Sequence, residues 1–125
     1  MSDAYRQGDT TRRAVLGDAH VDRSKAKETS FNADFNEFIT KYAWGDIWSR
    51  PGLDHHTRRL LTLSVLCAQG NDEELLMHAR AALADGVTVD EIKEVLLHTA
   101  LYAGLPRANQ AFALIGTLLH DDDLG

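Results

Sequence analysis

Asp54-His55-His56-Thr57-Arg58-Arg59-Leu60-Leu61-Thr62-Leu63-Ser64-Val65-Leu66-Cys67-Ala68-Gln69-Gly70 is the stretch on which the fold turns. It opens on an aspartate able to cap a helix and closes on a glycine. Between them Leu60, Leu61, Leu63, Val65, Leu66 and Ala68 form a nearly all-apolar run. A helix apolar on most sides belongs at the centre of a fold, covered all round. Working outward, helical periodicity dominates and strand alternation is absent.

Upstream, Asp3 to Leu16 reads as a polar first helix ended by Gly17, and His20 to Thr29 as a charged, exposed connection. Phe31, Phe35, Phe38, Ile39 and Tyr42 fall at i, i+4, i+7, i+8 and i+11, an apolar stripe for a second helix that the following Trp-Gly stretch stops. Downstream, Asn71 or Asp72 caps a fourth helix with Glu73 and Glu74 in its first turn and Gly86 past its end. Thr88-Val89-Asp90-Glu91 fits a capping box opening a fifth helix that Gly104 ends. Pro106 opens a sixth, with Phe112, Ile115, Leu118 and Leu119 apolar. The expectation is an all-α single domain over 1–125 with about six helices, a polar N-terminal helix in 1–19 and a solvated acidic tail at 121–125. Six helices, the first of them polar, leave part of the apolar third helix uncovered unless the second and sixth helices alone bury it in a self-sufficient monomer. A second protomer is expected to supply the rest, in a closed symmetric oligomer.

Composition excludes several classes. The 125-residue chain carries a net charge of −6, which argues against a basic nucleic-acid face. No apolar run reaches the ~18 residues of a membrane span, and the N-terminus lacks the apolar core of a signal peptide. Cys67 is the only cysteine, so no disulfide framework, Cys-x-x-Cys pair or thiolate zinc site is possible, and a reducing cytoplasm is the expected compartment.

Chemistry concentrates in a few places. Trp44-Gly45-Asp46-Ile47-Trp48-Ser49-Arg50-Pro51-Gly52-Leu53-Asp54 holds both tryptophans and an Arg-Pro-Gly turn, more than a helix connection needs. It reads as the wall of a binding site, or more plainly as cover for one end of the core. Glu74 and His78 are i, i+4 neighbours, a carboxylate able to orient an imidazole or simply a surface pair. His98 and Tyr102 repeat the spacing with Glu94 one turn earlier; flanked by Val95, Leu96, Leu97 and Leu101, His98 reads rather as a core histidine than as a catalyst. Arg58 and Arg59 begin the apolar helix and Arg50 ends the aromatic stretch. His55 and His56 point different ways and read as solvent-facing, and Cys67 as an inert buried thiol. There is no His-Glu-x-x-His and no Gly-rich phosphate loop, so metal and nucleotide chemistry are not expected.

Together these residues resemble the carboxymuconolactone decarboxylase family, from about His20 to Leu119. The resemblance is carried by Ala43-Trp44-Gly45-Asp46-Ile47-Trp48-Ser49-Arg50-Pro51-Gly52-Leu53, by Thr57-Arg58, by Glu74-Leu75-x-x-His78, and by Leu97-His98-x-x-Leu101-Tyr102-x-Gly104-x-Pro106. Relatives in the wider AhpD-like superfamily carry Cys-x-x-Cys-x-x-x-His on the equivalent helix. With the motif's histidine on His78, Glu74 and Asn71 stand where its cysteines would be, so thiol peroxidase chemistry is not expected.

The resemblance implies the all-α AhpD-like fold, assembled as a homotrimer or homohexamer. It also implies decarboxylation of a dicarboxylate lactone, 4-carboxymuconolactone, in protocatechuate catabolism, without cofactor or metal. In that reading His78 delivers the proton, Glu74 orients it, and Arg58 and Arg50 hold carboxylates. Trp44 and Trp48 form an apolar wall, and His98 and Tyr102 are further substrate contacts or alternative proton donors. A helical oligomer that binds a small acid without turning it over, and a lactone isomerase, remain as alternatives.

Overall fold

Residues 2–121 are described in a computed structural model, Asp121 by its backbone alone; the rest of the expected acidic tail lies outside the described residues. They form seven α-helices and one π-helical segment, with no strand among the described residues. The chain is all-α, as expected, and divides into two compact units, Met1–His55 and His56–Gly125.

The first unit opens with α1 (Asp3–Leu16), capped by the Ser2 hydroxyl, which accepts from the Tyr5 N–H at 3.2 Å. Gly17 ends it with φ +91°, a conformation that only a residue without Cβ adopts cheaply. The expected exposed connection at 20–29 is corrected here: α2 (Asp18–Ala26) begins directly after Gly17. Charged groups tie α2 to α1. Arg13 reaches Asp18 at 3.1 Å and Asp22 at 2.9 Å, and Lys25 reaches Asp9 at 2.7 Å. Val21, fully buried, is the single apolar residue of α2 held inside.

The second expected helix is real but differs in two respects. α3 (Ala33–Phe38) runs straight into a π-helical segment, Ile39–Ile47, so Trp44, Gly45 and Asp46 lie inside a helix and do not stop it. The Trp48 N–H donates to the Ala43 carbonyl at 2.9 Å, five residues back, which is the π-helical pattern. The phenylalanine stripe also faces outward, with Phe31, Phe35, Phe38 and Tyr42 all exposed. The inward face is set instead by glycine. A Cβ on Gly45 would lie 2.5 Å from the Ala4 carbonyl oxygen, and one on Gly8 would collide with the Thr40 carbonyl. So α1 crosses the π-helix backbone against backbone, with Thr40 and Trp44 buried.

The second unit holds α4 (His55–Gln69, whose first residue belongs to the first unit), α5 (Asp72–Ala84), α6 (Val89–Ala103) and α7 (Leu105–Asp121). The capping box forms as expected: the Thr88 side chain accepts from the Glu91 N–H, and the Glu91 carboxylate accepts from the Thr88 N–H. Leu63, Leu75, Ile92, Leu96, Ile115 and Leu118 are the large aliphatics of one core. Each fully buried side chain of this kind contributes about 1.5–3 kcal/mol. The expectation that α4 is covered all round does not hold within one chain. Arg59, Leu63 and Cys67 are its buried residues, whereas Leu61 and Val65, one turn apart on another face, are half exposed.

Candidate active site

In the second unit, α5 carries Glu74 in its first turn and His78 one turn later. Leu75, Ala79 and Ala82 on the same helix are drawn into the core, and that face carries His78 inward with it. His78 is the only buried histidine among the described residues. Its Nε2 lies 3.7 Å from Glu74 Oε2, and the carboxylate itself is half in solvent. Glu74 sits in the first turn of α5, where the helix dipole favours its negative charge, and it faces the buried imidazole.

The two arginines at the start of α4 have different surroundings. Arg59 is buried, and its Nη2 donates to Asp85 Oδ2 at 3.0 Å. Arg58 is only partly buried. Its carbonyl accepts from the Thr62 hydroxyl at 2.8 Å. The Nε of each guanidinium is buried, so the two arginines differ in overall exposure and in the Asp85 contact that Arg59 makes.

His98 is corrected. It is exposed, not a core histidine, and its ring packs on Tyr102 with centroids 5.2 Å apart. The buried positions of α6 are Ile92, Leu96 and Thr99, and His98 is turned roughly 125° away from that line at 3.6 residues per turn. Its leucine neighbours Leu97 and Leu101 are themselves exposed. His98 lines an open groove of about 580 Å³ with Leu60, Leu61, Ser64 and Glu94.

In the first unit Trp44 and Trp48 stack, with ring centroids 5.1 Å apart and planes 29° from parallel. Trp44 is buried and Trp48 partly so, hence Trp44 covers the core and Trp48 keeps an accessible edge. His55 meets Trp48 edge-on at 6.1 Å, and its Nε2 lies 3.1 Å from the Trp48 carbonyl. Arg50 stands in the exposed turn after the helix, 3.9 Å from Asp46.

Two contributions escaped sequence reasoning. Ser49 and Thr11 are hydrogen-bonded to each other at 2.8 Å although 38 positions apart, a pairing no local pattern reveals. His56 remains exposed as expected, yet its Nε2 meets Glu91 at 2.7 Å. The Thr88 N–H first, and then His56, hold the Glu91 carboxyl below the usual range. Cys67 is buried as expected, and burial pushes its thiol pKa up. Among the described residues no three of His, Cys, Asp and Glu converge as a metal shell requires.

An all-helical chain with a buried histidine beside a helical carboxylate defines a class of small helical proteins rather than one activity. The sequence profile of the carboxymuconolactone decarboxylase family matches residues 33–116, and the chain belongs to that family. It is 50% identical over 117 residues to the 4-carboxymuconolactone decarboxylase of Acinetobacter baylyi, covering 94% of this chain and 87% of that protein. It is 38% identical over 117 residues to a nitrosuccinic acid decarboxylase of Metarhizium robertsii, covering 94% of this chain and 82% of that one. A 42-residue match to the 4-carboxymuconolactone decarboxylase of Pseudomonas putida is 57% identical, covering 34% of this chain and 88% of that sequence.

Proposed function

We propose that this protein is an enzyme, a carboxy-lyase that converts 4-carboxymuconolactone to β-ketoadipate enol-lactone and CO2 in protocatechuate catabolism. The observation that carries this reading is the 50% identity to a 4-carboxymuconolactone decarboxylase across 94% of the chain.

The chemistry suits the side chains available. The substrate's ring carbon beside the ring oxygen bears a carboxylate and a CH2-carboxylate. As the carbon–carboxylate bond breaks, its electron pair passes through the ring double bond into the lactone carbonyl, giving a dienolate. A proton then adds to the carbon next to that carbonyl. The substrate thus carries its own electron sink and needs no cofactor. The protein supplies carboxylate grips, donors to the developing oxyanion, and an acid.

His78 is the proposed acid, since imidazole's ordinary pKa of about 6.5 lies near working pH. Glu74 orients it. Arg58 is the proposed carboxylate grip of the second unit, its planar fork suited to bidentate contact. Arg50, Trp44 and Trp48 are proposed substrate contacts of the first unit, and His98 and Tyr102 secondary ones. A departing carboxylate is destabilised against an apolar wall, which is the role proposed for the stacked indoles.

The cytoplasm is the proposed location; among the described residues no helix is long and apolar enough to cross a membrane. A homotrimer or homohexamer is the proposed assembly, supported by Phe31, Leu101 and Leu105, which are 97%, 74% and 73% exposed in the single chain. The test is to mix pure protein with the lactone and follow ultraviolet absorbance with CO2 release. Loss of absorbance with stoichiometric CO2 supports the reading. Binding without turnover points to an acid-binding oligomer, and action on the non-carboxylated lactone alone to an isomerase.

A further inference from the structure

Helix α1 lies entirely before the family match at 33–116, yet it reaches into the aromatic segment through one chain of hydroxyls. The Ser49 hydroxyl donates to the Trp44 carbonyl at 2.7 Å. A hydroxyl has one proton to give, so in the 2.8 Å contact between Thr11 and Ser49 it is Thr11 that donates. The order is therefore Thr11 to Ser49 to the Trp44 carbonyl. That carbonyl sits in the last turn of the π-helix, where backbone acceptors run out of intrahelical donors. Ser49 thus closes the end of the helix that carries both tryptophans, and Arg50 follows it directly.

The device is seated firmly. Thr11 stands one turn after Gly8, and Gly8 abuts the Thr40 carbonyl where α1 crosses the π-helix. Trp44 and Trp48 are stacked at 5.1 Å immediately before the Ser49 cap, and His55 holds the Trp48 carbonyl from the far side of the turn at 3.1 Å. A shift of Ser49 therefore moves the indole pair and the turn bearing Arg50 together.

We infer that Thr11 and Ser49 are positioning residues: through them α1 sets the orientation of the Trp44–Trp48 pair and of Arg50, and so governs substrate binding rather than the chemical step. This rests on the proposed reading that those three side chains face the substrate.

The test compares Ser49→Ala, Thr11→Val, Thr11→Ser and Trp48→Phe in the full-length protein. Far-ultraviolet circular dichroism checks folding, the exciton signal of the stacked indoles reports their geometry, and steady-state decarboxylation of 4-carboxymuconolactone gives kcat and KM separately. Ser49→Ala and Thr11→Val are expected to weaken the exciton signal and raise KM roughly two- to tenfold, the value of one neutral hydrogen bond, with kcat little changed. Thr11→Ser, which keeps the hydroxyl, is expected to restore both. If Trp48→Phe raises KM while Ser49→Ala alters neither signal nor KM, the positioning role is overturned. If Trp48→Phe leaves KM unchanged, the underlying reading of the aromatic wall fails instead. A fall in kcat alone for Ser49→Ala would also overturn the inference.

Discussion

The Nε2 of buried His78 lies 3.7 Å from Oε2 of half-exposed Glu74, one turn earlier on α5. That separation suits an ion pair and is long for a hydrogen bond, so the carboxylate faces the ring without locking it. His78→Ala is expected to lower kcat/KM by about 10²–10⁴-fold, the usual cost of a lost general acid. Glu74→Gln, which keeps size and removes charge, should have a smaller effect. Helicity measured alongside should not change, and activity of His78→Ala within a few-fold of wild type would remove His78 from the mechanism.

Arg58 and Arg59 should separate by phenotype. Arg59 is buried and bound to Asp85 at 3.0 Å, so Arg59→Ala loses a charged hydrogen bond and a packed stem. The expected cost is about 1–3 kcal/mol of stability, read as a lower urea midpoint. Arg58→Lys keeps charge but loses the planar fork, so it should raise KM with the midpoint unchanged. Equal effects on both readouts would mean the two side chains do the same job.

The Gly8 and Gly45 crossing makes a sharper structural test. Gly45→Ala would bring a Cβ to 2.5 Å from the Ala4 carbonyl oxygen, and backbone cannot step aside as a flexible side chain can. Forced overpacking of this kind costs typically about 1–3 kcal/mol. Gly52→Ala, where an added Cβ meets nothing within 4 Å, is the control. Thermal unfolding should distinguish them, and equal melting temperatures would refute the crossing as described.

Acid sensitivity follows from Glu91. The Thr88 N–H and His56 hold its folded pKa below the ordinary value of 4.5. A lowered folded pKa contributes stability that is present above the unfolded value and lost as pH falls through the folded one. Denaturation midpoints should therefore drop as pH goes below about 4.5, and Glu91→Gln should drop less steeply while starting lower at neutral pH. Parallel pH curves for the two proteins would contradict this.

Assembly is checked by light scattering. Three or six times the 13.8 kDa chain mass is expected for the proposed assembly, which would cover the exposed Leu101 and Leu105. A mass near 13.8 kDa would reject the oligomer.

What could be read from sequence followed from capping chemistry. α1 ends where Gly17 demands, α6 opens on the Thr88–Glu91 box, and α7 follows Gly104 with Pro106 in its first turn. α2 was hidden because ion pairs from Arg13 and Lys25, not an apolar stripe, hold it in place. The π-helix was hidden because its widened turn breaks the ordinary helical period, so Gly45 looked like a stop when it is a contact. His98 was misplaced because leucine neighbours suggest a core, yet Leu97 and Leu101 are exposed in the single chain. Glu74 and His78 were legible because their spacing alone puts them on one face.

Decarboxylation through a dienolate that the protein protonates leaves a stereochemical mark when turnover runs in D2O. Proton magnetic resonance should count one deuterium on the carbon next to the lactone carbonyl, and spectra in a chiral orienting medium should show a single enantiomer, deuterated on one face, with one CO2 released per lactone consumed. Unchanged lactone, or CO2 release with deuterium equally on both faces, would contradict the account, the second because solvent rather than a positioned acid would then be delivering the proton.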